Sequence, residues 1–538
     1  MPRPKKIEAK PKKEKAITLP ENGKTSPQQL GSIIKTARDI MRKDRGLSGD
    51  TDRLPQLTWL LFLKFIDDDE RIREVNAELE GVPFKPAIQK PYRWRDWASP
   101  ADGLTGDDLR NFINNDEALL PNGKHGKGLF KYLKDLRGSR HGDRRDVVSH
   151  VFEGTINRMV SGYLLREMVN KLNQLNFTST GEIHTLGALY ESMLKEMRDA
   201  AGDSGEFYTP RAVVKFMVAV TNPQLGESVL DPACGTGGFL AEAFEHLQKQ
   251  VKVVEERKVL QWESIYGVEA KPLPYLLTQM NLILHGLEYP NIEYQNALAV
   301  KILEIGEAER VDVILTNPPF GGEEERKILN NFPADRQAAE TALLFMQLIM
   351  RRLHKAPRHG RAAVVVPNGF LFGDGIAAKI KAELLRDFNL HTIIRLPNGV
   401  FAPYTSIPTN LLFFERSGRG GRPSAPTETI WYYEHILPEG VKNYTKTRPM
   451  QFEELQPILD WWDNRVENER AWKVRAADVI QTNGGGDVVS VNLDIKNPNR
   501  KEDLEHLPPA ELAESILAKE KQIAVIIDEI KSLLAKGG

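Results

Sequence analysis

Val311-Asp312-Val313-Ile314-Leu315 runs directly into Thr316-Asn317-Pro318-Pro319-Phe320. The first five residues, mostly β-branched or aliphatic, predict a buried strand, and the double proline predicts its abrupt end. Pro318 and Pro319 carry no N–H donor and hold φ fixed, so the chain leaves the strand along one stiff path. A side-chain amide (Asn317), a backbone carbonyl (Pro318) and an aromatic face (Phe320) then share a strand's carboxyl end. In an open α/β sheet that edge is where ligands bind. Two acceptors beside a stacking surface suit a planar ring with an exocyclic NH2 group. Taken alone, the same residues also fit a plain strand-terminating turn with a core phenylalanine.

Short apolar runs alternate with helical patterns on both sides of this stretch: Ser228–Leu230, Ser264–Val268, Val311–Leu315, Ala362–Val366 and Thr392–Leu396. That alternation predicts a doubly wound, mostly parallel sheet, with Ile407–Phe414 as a late strand. Before it the pattern is helical. Ser26 reads as an N-cap with Pro27 at the first helical position, and Leu30, Ile33, Ile34, Ala37 and Met41 mark one apolar face. Leu57–Ile66 reads as a buried helix closed by an acidic turn at Asp67–Glu70. Further apolar faces run through Leu129, Leu133 and Leu136, and through Ile156, Val160, Leu164, Met168 and Leu172. Trp94 and Trp97 are expected to pack into this helical part. A helix is expected near Thr185–Arg198, and Gly418–Pro423 reads as a loop.

These patterns divide the chain into a disordered basic tail (1–25), a helical N-terminal domain (26–178), a catalytic α/β domain (179–475) and a C-terminal extension (476–538). The extension carries a heptad-like seam at Leu512, Ile516, Ile523, Ile526, Ile530 and Leu533, fit for its own protein or for a partner helix. The 538 residues are 41% hydrophobic and 27% charged with net charge −1, an ordinary globular profile without a general nucleic-acid coat. The single cysteine, Cys234, excludes an internal disulfide framework and a multi-cysteine zinc site, and no metal is expected. The longest apolar stretch is too short for a bilayer and the start of the chain is charged. A cytoplasmic protein without membrane contact is expected.

A second motif follows the first strand: Asp231-Pro232-Ala233-Cys234-Gly235-Thr236-Gly237-Gly238-Phe239-Leu240. Its glycines let the backbone turn sharply and approach a ligand. Leu240 stands where a dinucleotide fingerprint needs a third glycine, so pyrophosphate binding is disfavoured. Asp231 at a strand end suits a ligand with positive charge, such as an ammonium, and Glu269 ends the next strand where a carboxylate accepts from ribose hydroxyls. A nucleoside joined to an amino acid describes S-adenosylmethionine. Cys234 reads as a small packed loop residue rather than a nucleophile.

With Asn317-Pro318-Pro319-Phe320, this loop resembles the adenine-N6 DNA methyltransferases, within the class I S-adenosylmethionine-dependent, Rossmann-like α/β fold. Gly205-Glu206-Phe207-Tyr208-Thr209-Pro210-Arg211 resembles the segment that closes over the cofactor's methionine end. Leu186-Gly187-Ala188-Leu189-Tyr190-Glu191, Val366-Pro367-Asn368-Gly369-Phe370-Leu371-Phe372 and Asn492-Leu493-Asp494-Ile495-Lys496-Asn497-Pro498 extend the likeness to the modification (methyltransferase) subunit of type I restriction–modification systems, over roughly residues 28–538. The resemblance implies cofactor contacts at Glu206, Phe207, Tyr208, Thr209, Pro210, Arg211, Gly235, Thr236, Gly237, Gly238 and Glu269, with Asp231 a further candidate. Many relatives place an acid near the cofactor's adenine amine, where this chain offers Asn296. It also implies double-stranded DNA as substrate, a flipped adenine held by Asn317, Pro318, Pro319 and Phe320, and a separate specificity subunit flanked by two modification subunits. A restriction subunit can join. Arg351 to Arg361 is a basic stretch fit for phosphates or for a solvated helix end. Methylation of protein glutamine or RNA amines, or an assembly subunit with a silent site, are the competing readings.

Overall fold

The computed structural model describes residues 27–499, except 101, 139–142, 178–185, 196–208, 323, 356, 403–404, 406, 417–425 and 446, together with scattered residues between 513 and 527. The N-terminal tail, Ser26, Gly205 to Tyr208, Met197 and the loop at Gly418–Pro423 lie outside the described residues. So do Leu512, Ile516, Ile530 and Leu533 of the heptad seam.

Nine strands form one sheet: β1 (Val229–Asp231), β2 (Ile265–Glu269), β3 (Asn291–Tyr294), β4 (Val313–Thr316), β5 (Arg361–Pro367), β6 (Asn389–Arg395), β7 (Thr409–Glu415), β8 (Thr429–Glu434) and β9 (Ala471–Arg475). Their order is β9-β8-β6-β7-β5-β4-β1-β2-β3. The pairs β3–β2, β2–β1, β1–β4, β4–β5 and β6–β8 are parallel, whereas β7 enters antiparallel between β5 and β6 and β9 pairs antiparallel with β8. The expected doubly wound sheet is therefore present, with three strands more than the sequence patterns predicted: β3, β8 and β9.

The apolar runs are continuous because both faces of the sheet are covered. Val229, Val313, Leu315, Ala363, Val365, Leu411 and Phe413 enter one core. Their alternating neighbours Leu230, Ile314, Ala362, Val364, Val366, Leu412 and Phe414 enter the other.

The helical region begins with α1 (Pro27–Arg42), which buries Leu30, Ile33, Ile34, Ala37 and Met41 as expected. Next, α2 (Asp50–Glu80) runs straight through Asp67–Glu70, which the sequence suggested was a turn. These acids stay helical because partners reach them. Lys64 pairs with Asp68 one turn away, the Ala87 amide donates to Glu70 (2.6 Å), and Arg95 donates to Asp67 (2.8 Å) and Glu74 (2.9 Å). Burial still raises the Asp67 carboxyl above its ordinary range, against the pull of Arg95.

A second correction concerns Ile156 and Val160. They are exposed and precede the helix, because Ser161 caps α3 (Gly162–Leu172) by accepting the Leu164 amide (3.3 Å), and Asp44 accepts the Val160 and Ser161 amides. Trp94 and Trp97 are buried as expected, with Trp94 Nε1 donating to Asn173 (2.7 Å). Leu136 lies just beyond the short helix Leu129–Lys134.

Four helices frame the sheet's first half: α4 (Arg211–Thr221), α5 (Gly238–Gln248), α6 (Pro272–Leu284) and, on the opposite face, α7 (Thr341–Arg352). Helix α6 is apolar nearly all round and packs on α5 and β2 with one side and on α2 with the other. Helix α8 (Ile376–Asp387) joins the α7 face.

The described part of the C-terminal extension returns to this core. Arg395 donates to Asp494 (2.6 Å), Tyr432 to the Leu493 carbonyl (3.1 Å), and the buried Lys381 ammonium to the carbonyls of Leu371 (3.3 Å) and Val491 (2.5 Å). Beyond it, residues 513–527 are helical where described, with Leu517, Ile523, Ile526 and Ile527 exposed.

The pairing of Arg95 with Asp67, whose side chain is only 8% exposed, yields a stability prediction. Arg95→Met leaves a buried carboxylate without its cation and is expected to cost about 3 kcal/mol in denaturant unfolding. Adding Asp67→Asn in the same chain should recover part of that loss, because it removes the uncompensated charge.

Candidate active site

The carboxyl ends of β1, β2 and β4 open on a cavity of about 270 Å³. It lies where strand order reverses, with β1 between β2 and β4. Thr209, Asp231, Gly235, Thr236, Gly238, Glu269, Asn296, Asn317 and Pro319 line it. Two sequence motifs some eighty residues apart thus meet in one space.

The glycine loop is held at every level. Gly235 and Gly237 adopt φ of 55° and 76°, a left-handed backbone that L side chains rarely take. A Cβ on Gly238 would sit 1.8 Å from an Arg211 guanidinium nitrogen, so the guanidinium would have to shift to admit any side chain there. The loop's carbonyls are tied down from α6: Thr278 Oγ1 donates to Gly235 O, and Asn281 Nδ2 donates to Thr236 O at 2.8 Å. Thr278, Gln279 and Asn281 are fully buried polar residues inside an apolar helix. Sequence reasoning missed them, although three polar residues on such a helix signal a buried polar partner.

Both carboxylates are buried and partnered. Asp231 is 1% exposed, and its Oδ1 accepts from Thr316 Oγ1 (2.7 Å) and from the Ala233 amide (3.1 Å). Burial pushes its pKa up to about 7; the Thr316 and Ala233 donors pull it back, and the charge of Glu269 raises it further. Glu269 accepts from the Gly235 amide (3.0 Å) and the Lys271 amide (2.8 Å), and burial raises its pKa too. Cys234 is buried, with its thiol pushed well up by burial, which fits a packed loop residue.

At the other end, Asn317 Nδ2 donates to Thr209 Oγ1 (3.1 Å), which turns the amide oxygen away from Thr209. Asn317 Oδ1 is buried and has no hydrogen-bond partner among the described residues, and the same holds for Thr236 Oγ1. An unpaired buried acceptor costs about 1–3 kcal/mol, so its partner is to be sought in a ligand. Pro318 is buried and Pro319 exposed. Phe320 is half-buried and meets Phe401 edge-on at 6.0 Å, a neighbour the sequence did not single out.

Asn296 lines the cavity, but its Oδ1 already accepts the Leu298 amide (2.9 Å), while its Nδ2 donates to Glu324 (3.3 Å). Glu324 thus brings to the cavity wall a carboxylate that sequence reasoning missed. Arg211 points elsewhere, to Glu191 (2.7 Å) and Gly238, and Pro210, Gly237, Pro318 and Phe320 lie outside the cavity lining. Glu206, Phe207 and Tyr208 fall outside the described residues.

The basic stretch lies on the far edge of the sheet. Arg352 donates to the Glu309 carbonyl (3.0 Å), Arg351 to Glu383 (3.2 Å) and Arg361 to Glu227 (2.7 Å). These residues flank the amino ends of β4 and β5, the edge of the sheet opposite Asn317.

Three comparisons bear on this geometry. A family model described as N-6 DNA Methylase matches residues 181–505, and one described as HsdM N-terminal domain matches residues 30–172. The chain is 47% identical over 515 residues to the type I restriction enzyme EcoEI methylase subunit of Escherichia coli, covering 94% of this chain and 97% of that protein. Among solved structures, a modification subunit from Vibrio vulnificus YJ016 shares 62% identity at a TM-score of 0.79, covering 90% of this chain and 99% of that one. A chain from a study of complex assembly and conformational transition of the type I R-M system shares 37% identity at a TM-score of 0.74, covering 96% and 100%.

The raised Asp231 pKa has a sign that can be tested. A carboxyl titrating near 7 in the folded chain and near 3.8 unfolded stabilises the fold while protonated, and that stability is lost as pH rises from about 4 through 7. The melting temperature of the unliganded chain should therefore fall over that window. Asp231→Asn should flatten the slope, and thermal melts across pH would show it.

Proposed function

The chain belongs to the N-6 DNA methylases, as the methylase subunit of a type I restriction–modification system, and from that premise we propose how its own residues carry out adenine-N6 methyl transfer. The observation that carries the reading is the buried, unpartnered Asn317 Oδ1 on the same cavity as Asp231 and Glu269. S-adenosylmethionine fits this donor set, and when bound it supplies an electrophilic methyl group on a sulfonium. Asp231 would accept its ammonium, Glu269 its ribose hydroxyls, and the Thr236–Gly238 backbone would lie against it, with Glu206 to Thr209 closing the methionine end. Asn296 and Glu324 stand where the adenine edge would reach, Glu324 offering the free acceptor. Arg211 acts at one remove, by packing over Gly238.

An adenine N6 lone pair is delocalised into the ring and is a poor nucleophile. The Asn317 amide oxygen and the Pro318 carbonyl each accept one N6 hydrogen, which localises the lone pair towards the methyl group. The same dipoles stabilise positive charge developing on nitrogen, and they are fixed before the reaction begins. Thr209 keeps the Asn317 amide in the required orientation. Pro319 stiffens the exit of the chain, and Phe320, braced by Phe401, stacks on the base. A base inside a duplex cannot reach this edge, so it is flipped out of the stack.

We further propose that a specificity subunit selects the target in double-stranded DNA, that two copies of this chain flank it, that a restriction subunit joins the assembly, and that the complex works in the cytoplasm. Among the described residues no helix is long and apolar enough to cross a membrane. The exposed Leu517, Ile523, Ile526 and Ile527 on the C-terminal helix are a fit surface for a specificity subunit's helices. Deleting residues 508–538 should then abolish co-purification with that subunit and leave cofactor binding intact; unchanged co-purification would sink the docking idea.

The catalytic assignment has its own test in transfer of labelled methyl to DNA, with the specificity subunit co-expressed. Asn317→Ala should keep cofactor affinity within a few-fold and lose about 10²–10³ in rate, as for removal of one preorganised dipole. A variant methylating at near the unaltered rate would overturn the role given to Asn317.

A further inference from the structure

Thr316 has no role in the scheme above, yet it sits between the site's two halves. It is the last residue of β4, fully buried, and directly precedes Asn317. Its hydroxyl donates to Asp231 Oδ1 (2.7 Å), across the β1–β4 pairing that puts Val229 beside Val313 and Leu230 beside Ile314. The Ala233 amide donates to the same oxygen (3.1 Å). Both hydrogen bonds given for the Asp231 side chain among the described residues thus land on Oδ1, and the residue lines the cavity.

A valine has the same shape, favours a strand at least as well, and would bury no polar atom. A threonine here must therefore be explained by its hydroxyl. We propose that Thr316 is a positioning residue of the methyl-transfer site: its hydroxyl holds the Asp231 carboxylate to receive the cofactor's ammonium and links that contact to the placement of Asn317. The inference rests on the reading of this cavity as the S-adenosylmethionine site.

The surroundings of Asp231 make the hydroxyl matter. Burial and the Glu269 carboxylate at the end of β2 both oppose ionisation of Asp231, and the nearby Cys234 thiol brings no positive charge. Of the interactions favouring the carboxylate, the Thr316 hydrogen bond is the largest, ahead of the Ala233 amide. Without it the carboxyl keeps its proton to higher pH and presents a weaker acceptor to an ammonium.

The experiment is calorimetric titration of the full chain with S-adenosylhomocysteine, which bears the ammonium but no transferable methyl, across the neutral pH range. The unaltered chain should lose affinity on the acid side as Asp231 protonates. Thr316→Val should move that acid limb up by about one pH unit and weaken binding near neutrality by about tenfold. Thr316→Ser, which keeps the hydroxyl, should restore both. A purely structural role would lower the melting temperature and leave the limb in place. Asp231→Asn should erase the limb, a check that stands even if the valine variant fails to fold. The inference is overturned by an unmoved limb in Thr316→Val or a persistent limb in Asp231→Asn. If the unaltered chain binds no S-adenosylhomocysteine at any pH, the cofactor reading falls and takes this inference with it.

Discussion

Everything in the site depends on β1 and β4 being parallel neighbours that end at the same height. The register Val229↔Val313 and Leu230↔Ile314 brings Asp231 and Thr316 into hydrogen-bond contact across the sheet. One step further along each chain the strands release a glycine loop on one side and Asn317-Pro318-Pro319 on the other. A methyl donor and a methyl acceptor can then be held by two loops that diverge from one anchored point. A shift of one residue in that register would turn Asp231 away from the cavity and from the Thr316 hydroxyl.

The arrangement is energetically tense. Two carboxylates, Asp231 and Glu269, are buried, the charge of Glu269 raises the proton affinity of Asp231, and an isolated buried charge costs several kcal/mol. Hydrogen bonds offset that cost, from the Thr316 hydroxyl and the amides of Ala233, Gly235, Ala270 and Lys271, each worth about 1.5–3 kcal/mol to a charged acceptor. Glu269 also feels the Lys271 ammonium, whereas the interactions that hold Asp231 are dipoles alone, so Asp231 is the carboxylate at which a cationic ligand gains most on entering. Asn317 Oδ1 has the same character on a smaller scale, a desolvated acceptor aimed by Thr209 and left without a donor.

How much of this was legible in the sequence follows from what each signal depends on. The glycine loop, the double proline and the apolar runs of β1, β2, β4, β5, β6 and β7 are local patterns, and they placed the sheet and its ligand edge. The aromatic strand β8 and the amphipathic β9 carry weaker runs and were not seen. Asp67–Glu70 misled because the charges that keep it helical come from Arg95 and Ala87, distant in sequence. Ile156 and Val160 fit a helical period, yet Asp44 and Ser161 fix the backbone there as a cap. Thr278, Asn281 and Glu324 act through loops their own segments do not reveal. Local sequence shows which groups are available; tertiary contacts decide where they are spent.

That distinction bears on target choice. The acceptors at Asn317 and Pro318 recognise two hydrogens on a planar amine, a feature every adenine in DNA shares. Reading the neighbours of that adenine needs donors and acceptors in a groove, and holding a duplex in register needs free cations beside it. In the basic stretch from Arg351 to Arg361, Arg351, Arg352 and Arg361 are paired internally, at the edge of the sheet opposite Asn317. A net charge of −1 gives the chain no general pull on phosphate either. A site built this way selects a functional group and not a sequence. Its selectivity must come from whatever delivers the duplex to the carboxyl edge, and the exposed apolar helix at the end of the chain is a surface on which such a partner can be carried.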